Sequence, residues 1–430
     1  MNRREIPLAR TGRSRRVLGG LGLGLAALLG AWLPAPAGAQ GRIQFAKMTV
    51  TDCSEIGACE WRLACKVGNG PETELVPEAD ASSAGEVKID RAVEVASFPV
   101  TVKCQLQEDD GVFGTSWNDA GGASIELFGG GDYKIALKNP EQGGAEVLLL
   151  VDSLEIAALP APAAPVSGAK GKAAAAGAQG TAAGPTFLSV YQTWRHGHAV
   201  LVGFPWDRFS ARAEKLKAVG VMLASFGSYA SGGQRLWFGI FRSGPSQQAL
   251  TPGLEYEPFL KKVKSLSDSG LWLNHLAIYS DAQGAKRFFS GVFHEGGDQN
   301  TISVGQERAV FHNKWLELSG KGQRLIDLET YRAAGGKNLY ASIFAPGSGS
   351  YGIWPALEWD ALAAKWKGAS GSQIADAVSY VEGKKRLFDV VLGSGEQSAL
   401  EAPAPLPAIA AKWKEMVAKG MRLNDLDPLE

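Results

Sequence analysis

Gly220, Gly270, Gly322, Gly371 and Gly420 recur at spacings of 50, 52, 49 and 49 residues, and this period constrains the chain more than any other feature. Nine residues after the first four stand Tyr229, Tyr279, Tyr331 and Tyr380. An aromatic-x-x-[IV]-[FL]-x-x-Gly strand then follows. It reads Trp237…Ile240-Phe241…Gly244, Phe289…Val292-Phe293…Gly296, Tyr340…Ile343-Phe344…Gly347 and Phe388…Val391-Leu392…Gly395. Self-similarity at this period marks a repeat architecture, here about four and a half helix–strand–strand units.

The physics of one unit is legible. Apolar residues at 3- and 4-residue spacings precede each Gly: Phe209 and Leu216; Phe259, Val263 and Leu266; Phe311, Trp315 and Leu318; Trp359, Leu362 and Trp366; Trp413, Met416 and Val417. Each set forms one helix stripe. The Gly stands where a helix end takes a left-handed residue. A strand runs on to the Tyr, and Gly turns such as Gly335-Gly336 lead into a second strand, giving a hairpin. One helix and one hairpin cannot close a core, so neighbouring units must stack. The last unit stops after its helix and first strand, while Phe187–Trp194 and Ala199–Phe204 are strand-like and lack a helix. The leading segment is therefore expected to supply the missing strand, and the units to form a propeller-like ring or a solenoid.

The segment before the repeats reads differently. Residues 1–39 have a basic start, an apolar run from Val17 to Leu33 and Ala37-Gly38-Ala39 before Gln40, the pattern of a signal peptide. Ser14-Arg15-Arg16-Val17-Leu18 resembles the twin-arginine export signature. The implied location is periplasmic or secreted. No further run reaches the length of a membrane span, and without the leader the net charge is about −5, which gives no electrostatic case for nucleic acid. Residues 41–155 alternate apolar and polar between Gly, Asn and Asp clusters, as a β-sandwich does. The expected strands are Ile43–Val50, Trp61–Val67, Val87–Ile89, Val93–Leu106, Ser124–Leu127, Tyr133–Leu137 and Glu146–Val151. An Ala/Gly/Pro-rich linker follows over 156–186, and the repeat domain occupies 187–430. The fold class is mainly β with α+β repeats.

All four cysteines fall early, and an even number in an exported domain reads as two disulfides with three possible pairings. Trp61, Leu63, Cys65 and Val67 alternate on one strand face, and Val100, Val102, Cys104 and Leu106 on another. Inward faces of neighbouring strands favour Cys65–Cys104, leaving Cys53–Cys59 to close a short loop. A zinc site is the rival, but the C-x₂-C pairs of zinc ligands are missing.

The repeat residues resemble the bacterial tandem repeat family, whose units also precede the hydrolase domain of fungal polyglycine hydrolases; the resemblance covers about Phe187–Leu429. It implies helix-plus-hairpin repeats with no settled activity of their own. The Ser-x-x-Lys of the hydrolase domain has one counterpart, Ser167-Gly-Ala-Lys170, inside the linker, where no buried helix start can activate it. No catalytic residue is assigned. The N-terminal domain resembles C2-type sandwiches, whose loops gather carboxylates around Ca²⁺. Asp52, Glu108, Asp110 and Asp119 are the corresponding candidates, with calcium the one implied cofactor; solvated acidic loops are the alternative. His196, His198, His294 and Glu295 are a second metal candidate set, against surface or packed histidines. Trp206, Trp272 and Trp354 break the repeat phase and are candidates for a binding surface.

These features point to an exported, non-catalytic binding or scaffold protein with a protein or glycan ligand. The alternatives are a peptide or cell-wall hydrolase-associated protein and a calcium-dependent membrane-docking protein. In the chain-entropy account, a cross-link closing some 40 residues stabilises by roughly 3–4 kcal/mol. Replacing Cys65 and Cys104 together by Ala should lower the unfolding free energy in urea by about that amount.

Overall fold

The computed structural model describes residues 40–53, 59–81, 85–109, 117–139, 143–157, 185–244, 247–281, 284, 286–296, 300–333, 335–349, 351–369, 372–395 and 397–429. The leader, Ser167, Lys170 and Gly371 lie outside them. The described chain is mostly strand, in several small sheets.

The first eight strands are β1 (Gln40–Cys53), β2 (Cys59–Val67), β3 (Glu72–Ala81), β4 (Glu86–Val95), β5 (Val100–Asp109), β6 (Trp117–Leu127), β7 (Gly131–Asn139) and β8 (Gly143–Ile156). One sheet runs β3-β2-β5-β6; in the other, β8 lies beside β1 and β7, and β1 beside β4. Ile43, Phe45, Val147 and Leu149 from one sheet share a core with Trp61, Leu63, Val102 and Leu106 from the other. The inward alternation thus fills the space between two layers. Cys65 and Cys104 stand opposite each other in the β2–β5 register and are joined by a disulfide. Cys53 is disulfide-bonded too; the Cys59 side chain lies outside the described residues.

Two sequence expectations change here. Val93–Leu106 is not one strand but the end of β4 and most of β5, with a bend between them. β3 was not anticipated: it is a sheet-edge strand with Pro77 and a largely polar sequence, which hides the alternation.

From residue 186 the elements are β9 (Thr186–Thr193), β10 (His198–Phe204), α1 (Trp206–Lys217), β11 (Val221–Ser231) and β12 (Gln234–Ser243). The second unit holds β13 (Gln248–Leu254), α2 (Tyr256–Asp268), β14 (Leu271–Ser280) and β15 (Arg287–Glu295). The third holds β16 (Thr301–Gln306), α3 (Arg308–Gly320), β17 (Gln323–Arg332) and β18 (Asn338–Pro346). The fourth holds β19 (Tyr351–Leu357), α4 (Trp359–Lys367), β20 (Ser372–Glu382) and β21 (Lys385–Ser394), and the fifth β22 (Ser398–Pro405), α5 (Leu406–Ala418) and β23 (Met421–Leu429). The helix stripes bury Phe209, Phe259, Phe311, Leu362 and Ile409. Gly220, Gly270, Gly322 and Gly420 follow the helices with φ of 79°, 84°, 78° and 78°, the left-handed geometry a helix end favours.

Each unit is strand–helix–strand–strand, one strand more than the periodicity reveals. The extra outer strand precedes the helix, is six to eight residues long in the last four units, and is bulged, as between Thr251 and Leu254. Its short run and its Pro or Gly residues, as in Pro252-Gly253, erase the alternation a sequence reading needs. In each unit the aromatic-x-x-[IV]-[FL] strand lies between the other two, and the strand after each helix is the sheet edge that meets its equivalents in neighbouring units, the inner edge. The fifth sheet has no such middle strand after β23. β9 enters there, between β22 and β23, and reads Phe187…Val190-Tyr191 in the same phase. Phe187, Leu188, Val190 and Tyr191 are all fully buried, and the Phe187 ring meets Tyr229 and Phe238 of the first unit edge-on at 5.1 and 6.1 Å.

The sandwich continues into the repeats. β8 pairs with β7 along Gly143–Val151 and then, in parallel, with β10 along Asp152–Ile156. At this junction Asp152 Oδ1 accepts Arg422 Nε at 2.6 Å and faces His198 Nδ1 at 2.8 Å, while Trp413 Nε1 donates to His198 Nε2 at 3.1 Å. Burial holds the His198 pKa below its ordinary value. A neutral ring donating from Nδ1 and accepting at Nε2 fits both partners. A carboxylate and a guanidinium out of water are tolerable only when paired in this way.

Phe187→Ala should cost about 3–5 kcal/mol, the usual range for a buried Phe. Amide exchange should accelerate in β22 and β23, more than 200 residues away in sequence. Acceleration confined to residues 186–204 would show that β9 does not hold the last unit.

Candidate functional site

Each inner strand is the edge of its sheet, so half of its backbone groups have no strand partner. Side chains of the neighbouring unit take these positions. Asp327 Oδ2 accepts Leu276 N–H at 3.0 Å, Asp376 Oδ2 accepts Leu328 N–H at 2.6 Å, and Asp425 Oδ2 accepts Ala377 N–H at 3.0 Å. In the second unit His275 stands in this place and bonds the Phe226 carbonyl through Nε2 at 2.8 Å. Carbonyls at the other end are met likewise: Leu223 by Gln248, Leu273 by Asn300, Ile374 by Gln192 and Leu423 by Arg242. Arg235 and Arg287 reach across to lie over Tyr279 and Tyr331, 4.8 and 4.4 Å from the ring centroids. Contacts between inner strands run from β11 to β14, β17, β20 and β23, and from β23 back to β11.

Between these five strands lies a cavity of about 450 Å³. Its walls carry His275, Glu329, Asp376, Asp425 and Asp427, with Arg332 and Arg386 among the cations. His275 pairs through Nδ1 with Asp327. Burial disfavours the charged ring, yet the carboxylates of Asp327, Asp376 and Asp425 outweigh it and hold the pKa at about 9. An imidazolium suits the geometry, since both ring nitrogens face acceptors.

The acids divide into two kinds. Asp376 and Asp425 spend one oxygen on a backbone N–H of the preceding unit. Burial raises both; Asp425 stands at about 6 and Asp376 well above its ordinary value. Glu329 and Asp427 lie two residues beyond Asp327 and Asp425 on their strands. Burial pushes Glu329 far up, and its neighbours Asp327, Asp376, Asp427 and Asp425 add to the shift. Burial also raises Asp427, against the effect of Ser379, and its Oδ2 is shielded from solvent without a partner. Such a crowd of carboxylates in little water binds protons, because the cations on the walls are too few to replace them.

These residues are not among the sites expected from sequence. Their signal was present: Ser225, His275, Asp327, Asp376 and Asp425 each stand five residues after a repeat glycine. A polar position in phase inside an apolar strand is the mark of a side chain turned to a neighbour's backbone.

The sites expected from sequence are placed elsewhere. Asp52, Glu108 and Asp119 belong to strands β1, β5 and β6 rather than to loops; Asp110 and all four side chains lie outside the described residues. The histidine set is not brought together: His196 pairs with Asp132, His198 with Asp152, and His294 with Gln248 and the Leu223 carbonyl. Among the described residues no group of three or more metal-ligating side chains is assembled. Trp206 opens α1 and packs on Trp237 at 4.7 Å, Trp272 lies in β14, and Trp354 lies in β19 against Trp366 and Lys365. The three belong to three different units.

Residues 302–346 match the family described as polyglycine hydrolase-like, structural repeat. The matched stretch is one strand–helix–strand–strand unit, from β16 to β18. The repeats therefore have the likeness their residues suggest. Solved structures with C2 domains are similar at low level. The first C2 domain of a plant extended synaptotagmin 1 is 10% identical, covering 27% of this chain and 95% of its own, with a TM-score of 0.21. The paired C2 domains of extended synaptotagmin 2 are 9% identical over 77% of this chain and 98% of theirs, with a TM-score of 0.20. No curated protein matches the sequence.

Stability should fall as pH rises. The raised carboxylates contribute fully below about pH 4, the unfolded value, and that contribution is lost as pH passes about 6 at Asp425. His275 adds a second loss: its contribution is complete below about 6.5 and disappears through about pH 9. The urea midpoint should therefore be lower at pH 8 than at pH 5, and Glu329→Gln should raise it at pH 8 with little change at pH 4. Asp376→Ala should instead destabilise by about 1–3 kcal/mol, because the Leu328 N–H is left buried without a partner.

Proposed function

We propose that this is an exported, non-catalytic recognition protein whose five units form a propeller-like ring. Its central cavity receives a cationic group, a protonated amine or a guanidinium, of a protein or small-molecule ligand. The observation that carries the reading is the pair Glu329 and Asp427. Both line the cavity, both are forced toward their protonated forms, and Asp427 keeps one oxygen without a partner. An ammonium group entering there supplies the missing charge, so the carboxylates ionise and release protons as it binds. The order of contacts around the inner strands and the entry of β9 into the last sheet support the ring. The signal-like leader and the disulfides of the sandwich support export. Among the described residues no helix is long and apolar enough to cross a membrane.

Calorimetry of the mature chain with 1,4-diaminobutane, at pH 5.5 and at pH 8, tests the reading. Affinity should be higher at pH 8, protons should be released on binding, and Glu329→Gln or Asp427→Asn should each weaken binding at least tenfold, about 1.4 kcal/mol. No heat at about 5 mM ligand, or unchanged binding in both variants, would remove the cavity as the recognition site.

A further inference from the structure

The five units are close to equivalent, so a position where one differs is informative. The first residue of the helix is Trp206, Tyr256, Arg308, Trp359 and Leu406 in turn. Trp206 and Trp359 pack on the first aromatic residue of their middle strand, Trp237 and Phe388, at 4.7 and 5.9 Å. Leu406 is buried. Tyr256 also meets its partner, Phe289, at 5.3 Å, yet 40% of its surface stays open to solvent.

The open face of Tyr256 borders a second cavity, of about 460 Å³, between the second and third units. Phe289 and Tyr331 add aromatic wall, and Arg287, Lys286 and Glu255 add polar groups. Arg287 lies over Tyr331 and donates through Nη2 to the Arg332 carbonyl, while its Nε is shielded and without a partner. Lys286 and Glu255 pair at 2.8 Å and both are well exposed.

We propose that this cavity binds a neutral saccharide residue. A sugar ring has one flat face of C–H groups, which suits an exposed aromatic ring, and an edge of hydroxyls that donate and accept at once. Here a donor and an acceptor stand together at the rim of an aromatic wall: the Lys286 ammonium and the Glu255 carboxylate. The next interface along provides a built-in comparison. Its cavity, about 300 Å³, has Arg308 in place of Tyr256. Arg308 is occupied there, donating to the hydroxyls of Tyr340 and Tyr380 at 3.1 and 2.8 Å and pairing with Glu382. That interface lacks the exposed aromatic platform, so one saccharide site is expected here and none at its neighbour. This inference does not depend on the central cavity.

The test is saturation-transfer NMR on the mature chain with a panel of neutral mono- and oligosaccharides: glucose, galactose, mannose, N-acetylglucosamine and their β-1,4-linked dimers. At least one should bind with a Kd of about 1 mM or tighter. Tyr256→Ala should weaken it at least tenfold with an unchanged melting temperature, and Arg308→Ala should not affect it. If Tyr256→Ala lowers the melting temperature, Lys286→Met at the exposed rim gives the reading instead, with weaker binding expected. No binding by any sugar at about 20 mM, or binding that survives both the Tyr256 and Lys286 changes, would overturn the proposal.

Discussion

The repeat region depends on one constraint: an inner edge strand must satisfy backbone groups that its own sheet cannot reach. Exposed strand edges are a liability and buried unpaired amides are costly. The chain answers with side chains of the neighbouring unit, three of them aspartates at one phase of the repeat. Asp327, Asp376 and Asp425 each bond an amide of the strand before them, and Gln248, Asn300, Gln192 and Arg242 each bond a carbonyl. Stacking is therefore specified by directional bonds as well as by the helix stripes. The bonds also explain why neighbouring units cannot slip: a shift by one residue would take each carboxylate away from its amide.

The same solution creates the chemistry of the centre. Carboxylates placed to cap amides from successive units necessarily converge on the inner strands. Asp376 and Asp425 pair with backbone dipoles rather than with cations, so their charge is poorly compensated, and His275 is drawn to its charged form by the field of all three aspartates. Glu329 and Asp427 then add acid beyond what the capped amides require. A purely structural centre would be cheaper with apolar residues there, such as Val378, which occupies the same phase in the fourth unit. That contrast separates the acids that hold the units together from those available to a ligand.

Much of this was legible in the sequence. The glycine period, the helix stripes and the incomplete last unit follow from residue spacing, and the alternation around Cys65 and Cys104 places them on the inward faces of neighbouring strands. The outer strands were not legible, because six to eight bulged residues with Pro or Gly show no period. The central acids were not read because an Asp in an apolar strand resembles noise until its phase is compared across units. Nor could composition show that β8 runs on beside β10. Residues 158–184 separate the two in sequence, and the junction is fixed by Asp152, His198, Trp413 and Arg422, which lie up to 270 residues apart.

If the units are bound into one ring through β9 and these side-chain bonds, they must open together. Native-state hydrogen exchange across increasing denaturant measures this directly, at the amides of Leu276, Leu328, Ala377 and Leu426. All four should exchange through one global opening, with the same free energy and the same denaturant dependence. Free energies that step down from the first unit to the fifth would contradict it, and would describe an open stack held by neighbour contacts alone.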